Sequence, residues 1–111
     1  MEKFTIYRLS NEFGKSLYIG KTQNLEREIE GIIKSDLLAK KQLSQMTMDI
    51  SHFQVDGEVA AEFIRRQLIQ TDKPLYNEGD EMDGKVQPYT VTLKDIDWQH
   101  YWEPSPFFKI S

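Results

Sequence analysis

Residues 4–9 (Phe-Thr-Ile-Tyr-Arg-Leu) are β-branched and aromatic with alternating polarity, and Ser16-Leu17-Tyr18-Ile19-Gly20 answers them a short step later. Between them, Ser10-Asn11-Glu12-Phe13-Gly14-Lys15 supplies the Asn and Gly that tolerate the positive φ of a reversal. The pattern predicts a β-hairpin. In a chain of 111 residues and 13.1 kDa, such a pair sets the start of one modest core around a small antiparallel sheet.

Beyond the hairpin the apolar period lengthens. Thr22 or Asn24 is placed to cap a helix carrying Leu25, Ile29, Ile32 and Ile33 at helical spacing. Leu37, Leu38 and Leu43 mark a second helical stretch over about 36–45. Phe53 and Val55 before Asp56-Gly57 favour a third strand within 46–55, and Met46 and Met48 are expected to fill core gaps. Ala60, Ala61, Ile64, Leu68 and Ile69 give a last helix, stopped by Lys73-Pro74.

Residues 78–111 differ in character. Residues 77–85 are polar and glycine-containing, a linker. After it come a strand-like Tyr89-Thr90-Val91-Thr92-Leu93 and then Ile96, Trp98, Tyr101, Trp102, Phe107 and Phe108. Rings in that density are costly to leave in water, so they pack on the body or meet a partner. The division is a domain over 1–77 and an acidic, aromatic extension over 78–111.

Charge respects the same boundary. Seven acids stand against three lysines in 78–111, which accounts for the net charge of -4, while residues 1–77 balance. A protein that grips phosphates usually carries a basic excess; this one does not. With no cysteine, disulfide frameworks, thiolate metal sites and cysteine nucleophiles are excluded. No apolar run approaches the roughly 20 residues of a membrane span, and Met1-Glu2-Lys3-Phe4 lacks a signal-peptide layout. The expectation is a cytoplasmic protein with no membrane partner. His52 and His100 are distant in sequence and show no metal-ligand spacing. Acids around Gly79 and Gly84 lack the order of a calcium loop.

Thr5-Ile6-Tyr7, then Tyr18-Ile19-Gly20-Lys21-Thr22, then Asn24-Leu25, with Leu68-Ile69 and Pro74-Leu75-Tyr76-Asn77 at the far end, resembles the GIY-YIG nuclease family over about residues 3–77. Thr5 stands where that family usually has its first glycine. The resemblance implies an α+β fold, a small three-stranded antiparallel sheet flanked by helices. It also implies hydrolysis of a DNA phosphodiester, with two tyrosines beside the phosphate, an arginine on the first helix clamping its oxygens, a glutamate on a later helix binding one divalent cation, and a supporting asparagine. Carried over by position, Tyr7, Tyr18 and Asn77 match.

The two charged positions do not. The arginine position, three after Leu25, holds Glu28, and the glutamate position, three before Leu68, holds Arg65. An anion at the clamp repels phosphate and a cation at the ligand position repels the metal. Facing one another across one cleft, Glu28 and Arg65 are expected to form a salt bridge.

The main reading is therefore a catalytically inactive GIY-YIG-fold protein that needs no cofactor. It acts as a binding or inhibitory module, with a host or partner protein as its target and nucleic acid as a further candidate. A phage or mobile-element accessory acting against a host DNA-processing or defence factor is the concrete form. Its contacts are expected from Lys21, Arg66, Trp98, Tyr101 and Trp102.

The alternative is an active endonuclease using Tyr7, Tyr18, Arg27, Glu62 and Asn77, with magnesium or manganese held by Glu62. In an ideal helix Arg27 is turned about 100° from position 28, so this alternative requires a slipped helix or a deletion in the preceding loop.

Overall fold

The computed structural model describes residues 2–77 and 96–101. In chain order the elements are β1 (Lys3–Ser10), β2 (Ser16–Thr22), α1 (Leu25–Lys34), α2 (Leu38–Met46), β3 (Asp49–Asp56), α3 (Glu58–Asp72) and a short β4 (Gln99–His100). The fold is α+β, with an antiparallel sheet ordered β2-β1-β3-β4 and flanked by three helices.

Local chemistry sets these boundaries. Gly14 closes the β1–β2 turn at φ 78°, while the Asn11 carboxamide accepts from the Phe13 and Lys15 amides. Asn24 caps α1 by accepting from the Arg27 amide. Glu26 and Glu28 in the first turn and Lys34 in the last suit the helix dipole. Lys73, in the left-handed region, ends α3 directly before Pro74.

Alternation along β1 sends side chains to both faces of the sheet. Tyr7 and Leu9 join Leu17, Ile29, Ile32, Leu43 and Ile50 in a core beneath α1 and α2. Phe4 and Ile6 join Ile19, Ala61, Leu68 and Ile69 beneath α3.

The sheet has four strands rather than the expected three. Ser51 and His52 on β3 pair with His100 and Gln99, and the Tyr101 amide donates to the Ile50 carbonyl. Nothing in two exposed polar residues announces a strand; the aromatic neighbours hold it. Trp98 meets Phe53 edge-to-face at 4.8 Å, with the Arg8 guanidinium 4.2 Å above the indole. Tyr101 packs on the α1-side core. Met46 and Met48 are exposed and fill no core gap, and Leu37 and Leu38 are exposed too, because α2 buries only Leu43. The strand-like 89–93, Trp102, Phe107 and Phe108 lie outside the described residues. No helix among those described is long and apolar enough to cross a membrane.

Candidate functional site

Tyr7 sits midway along β1, between its two neighbouring strands, so its ring is fully buried. Tyr18, half-buried on β2, lies beside it with ring centroids 6.0 Å apart and planes tilted by 45°. Both rings line a cleft of about 300 Å³, also lined by Thr22, Arg27, Glu28 and Lys40. The Tyr7 hydroxyl donates to Glu28 Oε2 at 2.7 Å. Burial, then Tyr18, then the Glu28 carboxylate push the Tyr7 phenol far above the usual tyrosine range, so it is a fixed neutral donor.

Arg27, exposed on α1, lines the same cleft. Lys40, on α2, carries no signal in the sequence that marks it for the cleft.

A second cluster gathers on α3 and β2. Arg65 holds Glu62 through two bonds, Nε to Oε1 and Nη2 to Oε2, both 2.8 Å. Arg66 Nε reaches Oε2 at 2.7 Å, and Lys21 Nζ lies 3.2 Å from Oε1. The i+3 and i+4 spacing of the two arginines puts them on the Glu62 face; Lys21 arrives from β2. Above all Arg65, with Arg66 and Lys21 adding to it, holds the Glu62 carboxyl well below its ordinary range.

The expected Glu28–Arg65 bridge does not form. Glu28 is engaged by Tyr7, on the sheet face beneath α1, and Arg65 by Glu62, on the helix that packs against the other face.

These residues do not fit a divalent cation. The position that the resemblance gives to the metal ligand is a guanidinium, and both oxygens of the neighbouring carboxylate are already engaged by cations. Among the described residues no group of three or more His, Cys, Asp or Glu converges.

Asn77 is buried against the edge strand. Its Oδ1 accepts from the Ile19 amide at 2.7 Å and its Nδ2 donates to the Ile19 carbonyl at 3.0 Å. The Tyr76 amide donates to Leu17 O at 2.8 Å, so the closing segment runs along β2 next to Tyr18. Of the expected contact residues, Lys21 and Arg66 belong to the Glu62 cluster, and Trp98 and Tyr101 pack against the body. Trp102 lies outside the described residues. His52 and His100, distant in sequence, meet on β3 and β4, where His100 Nδ1 lies 3.0 Å from Asp49 Oδ1.

The sequence profile of the UvrC-like GIY-YIG domain matches residues 3–78. Among curated proteins, the chain is 31% identical over 96 residues to UvrABC system protein C of Wolbachia sp. subsp. Drosophila simulans (strain wRi), which covers 84% of this chain and 15% of that protein. It is 34% identical over 92 residues to the protein of the same name from Nitrosococcus oceani, covering 81% and 15%. The chain thus spans about 15% of the length of these relatives. The fold resembles the GIY-YIG N-terminal endonuclease domain of UvrC from Thermotoga maritima. A tyrosine-to-phenylalanine mutant of that domain, bound to its catalytic divalent cation, superposes with a TM-score of 0.61 at 22% identity, covering 68% of this chain and 83% of that one. An asparagine-to-alanine mutant of it gives 0.61 at 21%, covering 68% and 82%. With the tyrosine hairpin, the closing asparagine and the profile agreeing along the same residues, the chain belongs to the GIY-YIG family, as a UvrC-like domain.

Proposed function

We propose that this domain binds DNA at its tyrosine cleft and does not cleave it with a divalent cation. The observation that carries the reading is the 2.7 Å bond from the Tyr7 hydroxyl to Glu28. A phosphate oxygen seeking that hydroxyl meets a carboxylate already on it. Two unit charges of like sign at 4 Å repel by about 4 kcal/mol at an effective dielectric of 20. Arg27 and Lys40, lining the same cleft, supply the compensating positive charge for a phosphate that stays off the phenol. The UvrC-like profile, and the fold shared with a domain named as an endonuclease, favour nucleic acid as the target. A protein partner, and a role against a host DNA-processing or defence factor, rests on the acidic residues of 78–111.

One observation favours a second reading, an active endonuclease with magnesium or manganese: Arg27 does line the cleft, beside Tyr7 and Tyr18. That reading requires Glu62 to leave three cations for a metal. The test is incubation of supercoiled plasmid and branched DNA with magnesium or manganese, with binding measured by gel shift. Binding without nicking is expected. Metal-dependent nicking that disappears in Tyr18→Phe or Glu62→Ala establishes the endonuclease instead.

A further inference from the structure

Lys21, Arg65 and Arg66 converge on one carboxylate, that of Glu62, so the cluster holds two positive charges in excess within a chain whose net charge is -4. Helix stabilisation does not require this. One Glu–Arg pair at i+3 or i+4 already supplies that support, and each further cation on the same acid adds repulsion from the first. An excess of donors on one small patch points to an anion.

Arg66 and Lys21 also keep donors for a further partner. Arg66 engages Glu62 through Nε, and its side chain is 48% exposed, so its guanidinium stays open to a second partner. Lys21 has three donors and one carboxylate contact. Glu62 meanwhile fixes both guanidinium planes before any ligand arrives, and this lowers the ordering cost of binding. Lys21 directly precedes Thr22 on the edge strand β2, and Thr22 lines the tyrosine cleft, so the cluster and the cleft lie on the two faces of one sheet edge.

We propose that Lys21 and Arg66, held with Arg65 around Glu62, form a metal-independent binding site for a DNA backbone phosphate. The misfit between these residues and a divalent cation then has a positive content: a guanidinium stands where the resemblance puts the metal's ligand, and it supplies fixed positive charge. No bond is made or broken at this site. The inference rests on the DNA-binding reading of the cleft and adds to it the residues and the metal independence.

The test is fluorescence anisotropy of a labelled duplex with the full chain in EDTA, over a series of salt concentrations. Binding is expected to persist in EDTA. Arg66→Gln, a half-exposed change that leaves the fold intact by circular dichroism, is expected to weaken binding by about three- to tenfold and to lower the log–log salt slope by about 1. Glu62→Gln removes the one negative charge while its amide oxygen still accepts from the guanidinium groups, and it is expected to tighten binding by a similar factor, where a purely structural role for Glu62 gives no gain. Binding that needs magnesium overturns the proposal. So does duplex binding that Lys40→Gln weakens while Arg66→Gln and Lys21→Gln leave it unchanged, a result that keeps the cleft reading. A wild-type chain that does not bind the duplex at low salt overturns the cleft reading itself.

Discussion

Tyr7 stands directly across the β1–β2 ladder from Gly20, and its phenol fills the space that any side chain at Gly20 would need. A Cβ there lies 2.4 Å from both the phenol Cζ and its oxygen. The ring is buried and its hydroxyl is tied to Glu28, so moving it aside breaks that bond. Gly20→Ala is therefore expected to cost about 1–3 kcal/mol as an overpacked core. Thermal melts check this, and a double-mutant cycle sharpens it: in a Tyr7→Ala background the penalty at Gly20 should vanish.

Alkali should loosen the domain through the same phenol. The Tyr7 group is raised above its ordinary value of 10.0, first by burial. Above about pH 10 the unfolded chain gives up this proton and the folded chain keeps it, so the folded state loses about 1.4 kcal/mol of stability per pH unit. Below that pH the contribution is constant. Urea midpoints measured from about pH 9 to about pH 11 should fall more steeply for the parent than for Tyr7→Phe.

At the acid end the sign reverses. Glu62 is held below its ordinary value of 4.5, chiefly by Arg65. Its contribution is complete above that value and declines as pH falls below it. Glu62→Gln should show a shallower acid limb in the same urea experiment. An unchanged limb would mean that the three cations do not hold the carboxylate in solution.

Asn77 is expected to matter for stability. Asn77→Ala strips the Ile19 amide and carbonyl of their buried partner, and unsatisfied buried groups cost about 1–3 kcal/mol each. Denaturant titration should report a loss of about 2–4 kcal/mol, and the Ile19 amide should lose its protection against hydrogen exchange.

The hairpin, the capped α1 and α3 were legible because their apolar periods of 2 and 3.6 coincide with burial on both faces of the sheet. Met46 and Met48 do not fill the core as expected because α2 touches it along one narrow stripe, and local composition does not show a stripe's width. β4 was invisible: Gln99 and His100 pair through their backbones, and only Trp98 and Tyr101 beside them hint at why. At the site, the tyrosines and Asn77 stand out by motif, whereas the Glu62–Arg65–Arg66 triplet, though at helical spacing, is masked by the motif register that sets Arg65 against Glu28. The bond between Tyr7 and Glu28 was not legible, since it joins positions 21 apart, and neither was the approach of Lys21 to Glu62. Spacing reveals partners on one element; it is silent about partners brought together by the fold.

The short segments at the two flanks of the sheet also govern how the chain behaves among copies of itself. Residues 75–77 run hydrogen-bonded along the outer side of β2, and Gln99–Tyr101 along the outer side of β3. Strand-by-strand growth needs an unpaired rim of amides and carbonyls as a template. Here each rim is partly occupied by the chain's own backbone, which blunts the most direct route to edge-to-edge aggregation. Loss of either cover, by proteolysis after Pro74 or by deletion of residues 99–101, would expose that template and turn a self-limited sheet into one able to recruit its neighbours.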